Sequence, residues 1–92
     1  SKLLDRYFTE LAKDTGLAVY GEARTLSLLR KGVVDIILIS EAYFRKHEAE
    51  VEGILKEAEE KGTVVEVIST ESQKGGQLAE LGGMGGILRY KV

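Results

Sequence analysis

The sequence predicts an α/β fold, a three-layer α/β/α sandwich around a central mixed sheet of about four strands. Two observations lead to this prediction. Segments with the apolar spacing of helices alternate with short β-branched runs along the whole chain. In addition, residues 33–39 are apolar at nearly every position, which is typical of a strand buried on both faces. Such a strand needs helices on each side, and this requirement predicts the three layers.

In the first third of the chain, the pattern predicts two helices separated by a strand. Apolar side chains recur at steps of three and four from residue 3 to residue 12, and Gly16 is placed to end that helix. Residues 17–20 form a short predicted strand. A second amphipathic segment predicts a helix over residues 22–31.

The remaining elements follow the run at residues 33–39. Residues 40–47 are predicted to be a polar connection, and residues 48–61 a helix with one apolar face that includes Leu55. A third strand is expected over residues 63–68. A capping-box pattern at residues 70–73 opens the last helix, and a glycine-rich apolar segment then forms a final strand inside the sheet.

Composition excludes several classes of protein. The 92 residues are enough for one domain with a core. The chain has no Cys and a single His, so no disulfide, metal or cofactor is expected. The net charge of −2 argues against a general nucleic-acid binder. No apolar run approaches the ~20 residues of a membrane span and no secretory signal pattern is visible, so a cytoplasmic location is expected.

Several stretches resemble one known family. Leu81-Gly-Gly-Met-Gly-Gly-Ile-Leu-Arg-Tyr-Lys91 resembles the Leu-Gly-Gly-Ile-x-x-Ile-Leu-Arg-Tyr ending of the C-terminal domain of archaeal and eukaryotic class-1 peptide chain release factors. Ala12-Lys-Asp-Thr-Gly-Leu-Ala-Val-Tyr-Gly-Glu22 is similar to the opening of the same domain, and residues 32–41 and 65–70 to its next two strands. The resemblance therefore runs through both halves of the chain in order.

The middle of the chain departs from the release-factor pattern. Archaeal release factors commonly insert a cysteine-bearing zinc segment after the central strand, and eukaryotic ones insert a small subdomain. This chain passes from Glu41 almost directly into a helix. The surveillance protein Pelota shares the domain without the insertion, but Pelota-like domains tend to end Thr-Gly-Ile-Ala-Ala-Ile-Leu-Arg-Phe. Residues 81–83 and Tyr90 favour the release factor, with Pelota as the first alternative.

The resemblance implies an interaction domain for translation termination. Residues 1–92 would be one domain of a longer multidomain chain, docking an elongation-factor-like translational GTPase or the ribosome-recycling ATPase and reaching the ribosome through the full-length factor. The implied partner surface consists of Arg6, Tyr7, Phe8, Gly86, Ile87, Leu88, Arg89 and Tyr90. Strand alternation predicts that Arg89 is exposed, opposite Leu88 and near the helix layer that carries Arg6.

The tripeptide Gly75-Gly76-Gln77 matches a known catalytic motif but is interpreted here as a coincidence. Release factors use Gly-Gly-Gln to hydrolyse peptidyl-tRNA, but in that family it belongs to the middle domain. Leu78 and Leu81 continue an apolar helical face, which predicts that Gln77 lies on a helix rather than on a mobile loop. Because the sequence also offers no nucleophile–base pair, metal set or phosphate loop, no enzymatic activity is expected.

A turn at Tyr20-Gly21-Glu22 is similar to that of kink-turn RNA-binding ribosomal proteins, which share this fold and place Asn-Glu there. Here Gly21 takes the place of the Asn that would bind a base edge, and Arg24 is the nearest cation. No direct RNA binding by this domain is expected, and a kink-turn binder is the second alternative. The glutamates of residues 48–60 are most simply a solvated helix face.

Overall fold

The computed structural model describes residues 1–92. The helices are α1 (Lys2–Ala12), α2 (Glu22–Arg30), α3 (Glu41–Lys46), α4 (Glu48–Lys61) and α5 (Gln73–Glu80), and the strands are β1 (Ala18–Tyr20), β2 (Val34–Ser40), β3 (Val64–Ile68) and β4 (Met84–Leu88). None of the helices has the length and apolarity that crossing a lipid bilayer requires.

The four strands form one mixed sheet in the order β1-β4-β2-β3. Strands β2 and β3 are parallel, whereas β4 runs antiparallel to both of its neighbours, β1 and β2. The last strand of the chain is therefore an inner strand, as its apolar residues predict. Strands β1 and β3 are the edges of the sheet.

Helices cover both faces of the sheet, which confirms the predicted three-layer α/β/α architecture. Helices α1 and α5 pack on one face; the buried residues there are Leu4, Tyr7, Leu38, Ile68, Leu78 and Ile87. Helices α2, α3 and α4 pack on the other face, around a larger core that includes Leu28, Ile37, Ile39, Tyr43, Val51, Ile54 and Met84. The strand β2 contributes to both cores, as expected for an apolar run buried on two sides.

Two local predictions about helices were wrong. The polar connection expected over residues 40–47 is mostly the helix α3, because the Ser40 hydroxyl accepts hydrogen bonds from the backbone N–H groups of Ala42 and Tyr43 at its N-terminus. The capping box expected at residues 70–73 does not form. Instead Ser72 caps α5, with its hydroxyl accepting a 3.0 Å bond from the Gly75 N–H.

Candidate partner-docking surface

Tyr7, one of the residues expected at the partner surface, lies entirely in the core. Its side chain is fully buried under α1, and its hydroxyl donates a 2.8 Å hydrogen bond to the Val19 carbonyl oxygen of β1. Burial raises the pKa of the Tyr7 hydroxyl, with a smaller contribution from Tyr20. Tyr7 therefore joins α1 to the sheet and offers no area to a partner.

Three more of the expected surface residues are also buried. Gly86, Ile87 and Leu88 belong to the inner strand β4. Ile87 points to the face covered by α1 and α5, and Leu88 to the face covered by α2 and α4. The prediction of direct partner contact thus needs correction for these three residues as well as for Tyr7, because an inner strand between two helical layers has no exposed face.

The other four expected residues reach the surface to different degrees. Arg6 is exposed and forms no ion pair. Phe8 is half-buried, with its ring edge-on to Tyr7 at a centroid distance of 5.1 Å. Arg89 is exposed, and 57% of Tyr90 is accessible to solvent. Their role in partner binding stays a prediction.

Arg89 is exposed as predicted but lies on the other side of the sheet. Its guanidinium Nη2 donates a 2.7 Å hydrogen bond to the Lys61 carbonyl oxygen at the C-terminus of α4. It therefore lies on the face that Leu88 also points to, away from α1. The alternation rule failed because β4 ends at Leu88 and the chain bends at Arg89.

The expected residues that reach the surface consequently form two separate groups. One is on α1 and contains Arg6 and Phe8. The other is the terminal segment, residues 89–92, in which the Lys91 side chain passes 3.5 Å from the position a Cβ on Gly16 would take. No hydrogen bond, ion pair or ring contact joins the two groups.

The tripeptide Gly75-Gly76-Gln77 lies within α5, which confirms the prediction that Gln77 is on a helix. A Cβ on Gly75 would stand 1.8 Å from the Ser69 carbonyl oxygen, so this glycine is required for the close approach of α5 to the preceding loop. The tripeptide therefore has a packing role here. No group of three His, Cys, Asp or Glu side chains is arranged to hold a metal ion.

The turn at residues 20–22 is tied to α3. Gly21 has a φ of 89°, a conformation that favours glycine, and the Glu22 carboxylate accepts a 2.8 Å hydrogen bond from the Tyr43 hydroxyl. Burial, together with the bond to Glu22, raises the pKa of that hydroxyl. The Glu22 carboxylate at this turn is thus already hydrogen-bonded within the protein.

A groove between α3 and α4 was not predicted from the sequence. It has a volume of about 580 Å³ and is lined by Phe44, Glu48, Ala49, Val51, Glu52 and Leu55. Leu55, expected to face the core, is 40% exposed here. The groove was missed because α3 itself was missed; two adjacent apolar residues, Tyr43 and Phe44, were the available signal.

Comparison with known proteins identifies the family. The family model described as eRF1 domain 3 matches residues 1–92. The pelota homolog of Methanocaldococcus jannaschii is 37% identical over 92 residues, which is 100% of this chain and 26% of that protein. Peptide chain release factor subunit 1 of Thermococcus sibiricus is 33% identical over 135 residues, covering 99% of this chain and 32% of that protein. The chain thus spans about a third or less of the relatives it matches.

Solved structures agree with these relatives. Dom34 of S. cerevisiae, described as a translation termination-like factor interacting with Hbs1, has a TM-score of 0.85 at 27% identity, over 99% of this chain and 27% of that chain. Ribosome-bound archaeal Pelota, in a structure with ABCE1, has a TM-score of 0.81 at 25% identity, over 99% of this chain and 26% of that chain. The chain therefore belongs to the eRF1 domain 3 family, and Pelota and archaeal release factors contain the same domain.

Proposed function

We propose that this chain is a non-catalytic docking domain of a cytoplasmic translation factor that acts in termination or ribosome rescue. Its partners would be an elongation-factor-like translational GTPase and the ribosome-recycling ATPase. The observation that carries the proposal is the match to eRF1 domain 3 over the whole of residues 1–92. The protein partners named for Dom34 and for ribosome-bound Pelota support docking as the role.

The terminal segment, residues 89–92, is the part of the expected surface best suited to a partner. Tyr90 and Val92 are 57% and 65% exposed, large apolar areas that a partner would remove from water. Tyrosine is also among the residues that most often dominate binding energy at interfaces. The terminal segment directly follows the inner strand β4. The buried residues of that strand, Gly86, Ile87 and Leu88, therefore support this role indirectly by fixing where the segment begins.

Two features argue against catalysis by this chain alone. Gln77 is fixed on α5, so the tripeptide cannot project into an active site as a mobile loop would. Gly75, the first residue of the tripeptide, is committed to its contact with Ser69. We therefore expect no release of peptide from ribosome-bound peptidyl-tRNA by the 92-residue chain.

Ribosome rescue of the Pelota type is the second candidate within this proposal, and a specific observation favours it. The archaeal pelota homolog aligns over 92 residues, the length of this chain, whereas the release factor needs 135 aligned positions and so carries a segment that this chain lacks. The ending at residues 81–83 and Tyr90 favours the release factor instead. A full-length sequence would decide between them: a separate domain with its own Gly-Gly-Gln would indicate a release factor.

The proposal is tested by titrating the chain against three purified candidates in parallel. These are an archaeal translational GTPase of the elongation-factor type, the recycling ATPase, and a kink-turn RNA at physiological salt. We expect binding to at least one of the two proteins and none to the RNA. Tight binding to the RNA alone would replace the proposal with the RNA-binding alternative.

A further inference from the structure

We propose that the groove between α3 and α4 binds a basic amphipathic helix of a partner protein. This inference rests on the proposed function, since it takes the chain to be a protein-docking domain. It adds a second surface, separate from the terminal segment, and specifies the chemistry of the occupant. The groove is formed by Phe44, Glu48, Ala49, Val51, Glu52 and Leu55.

The floor of the groove is apolar and partly open to water. Val51 is buried at its base, and Phe44 of α3 packs against the core and is partly buried. Leu55 is 40% exposed because it lies beside the stripe of α4 that enters the core, which consists of Val51, Ile54 and Ala58. Covering such side chains is favourable by about 25 cal/mol for each Å² of apolar area removed from water.

The edge strand β3 extends the apolar surface on the same face of the sheet. Val67 is paired in register with Ile39, whose side chain lies in the core under α2, α3 and α4. Val67 therefore points to the side of the sheet that α3 and α4 cover, yet it is 47% exposed. A single exposed Val would be ordinary, but Val67 lies on the same side of the sheet as the groove and adds apolar area to the side that Phe44 and Leu55 also occupy.

The charges at the groove specify a basic occupant. Glu48 and Glu52 are four residues apart on the groove side of α4, and neither forms an ion pair within the chain. By contrast, Glu57 pairs with Arg30 at 3.8 Å, and Glu41 pairs with Arg45 at 2.8 Å. Lys and Arg side chains of a partner would supply the cations that Glu48 and Glu52 lack.

Three cations close to the groove in sequence leave its glutamates unpaired. Lys46 and Lys56 form no ion pair with Glu48 or Glu52, and Arg45 is engaged by Glu41. Helix α4 as a whole carries six glutamates and two lysines. The local charge is thus more negative than the net charge of −2 suggests.

The same charges disfavour the other occupants. Nucleic acid and an anionic membrane surface would bring phosphates against Glu48 and Glu52, and a second copy packed symmetrically on the groove would bring the same glutamates. The groove follows α4 from Glu48 to Leu55, about 10 Å or two helical turns. That length suits a bound helix whose anchors recur at positions i, i+3 or i+4, and i+7.

The test uses a synthetic peptide as the probe. The peptide is a fluorescein-labelled amphipathic helix with Leu at positions i, i+4 and i+7 and with Lys and Arg on both flanks. A scrambled peptide of the same composition is its control. We expect the helical peptide to bind the 92-residue chain by fluorescence anisotropy, and to shift the amide resonances of Phe44, Glu48, Glu52 and Leu55 in NMR spectra.

Matched variants distinguish binding of the peptide in the groove from nonspecific electrostatic attraction to the acidic chain. Glu52→Lys and Leu55→Gln are each expected to weaken binding about tenfold. Glu60→Lys makes the same charge reversal outside the groove, and Val64→Thr changes an exposed apolar residue on the opposite face of the sheet. Both should bind the peptide as the unmodified chain does, and all four should keep the melting temperature within a few degrees.

Three results would overturn the inference. They are no binding of the helical peptide, equal binding of the scrambled peptide, and equal loss in Glu60→Lys and Glu52→Lys. A dimer of the unmodified chain that Leu55→Gln disperses would show instead that a second copy occupies the groove. If the peptide does not bind while the translational GTPase still does, the groove inference is wrong and the proposed function is unaffected. If the peptide binds at the groove and neither protein partner binds, the proposed function is wrong and the groove inference is supported.

Discussion

The Tyr7 hydroxyl lies so close to Gly85 that a Cβ on this glycine would stand 2.1 Å from the oxygen. The same hydroxyl donates to the Val19 carbonyl oxygen, so one side chain of α1 contacts both β1 and β4. This arrangement explains why an inner strand contains glycine, which normally weakens a strand. The glycine-rich end of the chain is thus a packing element, and the strand keeps its position only while Gly85 leaves room for Tyr7.

Gly85→Ala should destabilise the protein by about 3 kcal/mol, because the added methyl group overlaps the Tyr7 ring and the Val19 carbonyl oxygen in a close-packed core. Urea denaturation at equilibrium measures this change. In the double variant Tyr7→Phe/Gly85→Ala, part of the loss should return. The recovery should stay incomplete, since the Tyr7 Cζ also lies only 2.6 Å from the Cβ position.

Gly53→Ala is the matched control for that experiment. Gly53 lies in α4 with no atom within 4 Å of its Cβ position, so alanine there should raise the free energy of unfolding by up to about 1 kcal/mol through helix propensity. A Gly85→Ala variant as stable as the parent would show that Tyr7 does not pack against β4 as described.

The two glycines of the Gly-Gly-Gln tripeptide should respond oppositely to alanine. Gly75→Ala brings a methyl group to 1.8 Å from the Ser69 carbonyl oxygen, a backbone atom that cannot easily move, and should lower the melting temperature by more than about 5 °C. Gly76→Ala has its nearest contact at 3.8 Å and should leave the melting temperature unchanged or higher. Equal effects of the two variants in thermal melts followed by circular dichroism would contradict the packing role.

Stability should fall in alkaline solution because of two tyrosines. Burial raises the pKa of Tyr7 and of Tyr43 above the ordinary value of 10.0, and the bond from Tyr43 to Glu22 adds to the second shift. Below pH 10 both hydroxyls are protonated in the folded and unfolded states, so the full stability is present. Above pH 10 only the unfolded chain releases the protons, and the free energy of unfolding decreases as pH rises.

The slope of that decrease identifies the residues responsible. Urea denaturation between pH 9 and 11 should show a shallower fall for Tyr43→Phe than for the parent, whereas Tyr90→Phe, a change at an exposed tyrosine, should follow the parent curve. If Tyr43→Phe and the parent have the same slope, the burial of the Tyr43 hydroxyl against Glu22 is not maintained in solution.

Arg89 should contribute to the stability of the fold in addition to being part of the exposed terminal segment. Arg89→Glu removes the hydrogen bond to the Lys61 carbonyl oxygen and places a negative charge at the C-terminus of α4, where the helix dipole is also negative. The expected loss is about 1 kcal/mol in the free energy of unfolding. Lys91→Glu reverses a neighbouring charge that has no hydrogen bond to a helix end, and it should cost less in the same measurement. Equal costs would mean that the bond to Lys61 is not formed in solution.

Much of the fold could be predicted from local patterns, because long elements repeat their pattern over several turns. Helix α4 has the predicted bounds, and the apolar run at residues 33–39 identified β2 as an inner strand. The helix α3 could not be recognised in the same way, since six residues are too few to show a helical period.

The candidate surface was harder to predict because exposure depends on contacts between distant segments. Nothing local to Tyr7 indicates that its hydroxyl reaches Val19, and nothing local to Arg89 indicates that β4 ends one residue before it and that Lys61 is its partner. The sequence resemblance identified the family and its final segment. Which residues of that segment face solvent could be determined only from the packing of the two helical layers.

The most direct test of the docking proposal is calorimetric titration of the chain and two tyrosine variants against an archaeal translational GTPase of the elongation-factor type. Tyr90 and Tyr20 are both 57% exposed, so Tyr90→Ser and Tyr20→Ser remove the same kind of side chain from opposite ends of the sheet. We predict that the unmodified chain binds, that Tyr90→Ser weakens binding at least about tenfold, and that Tyr20→Ser leaves it unchanged. Absence of binding by the unmodified chain, or an equal loss in both variants, would contradict docking through the terminal segment.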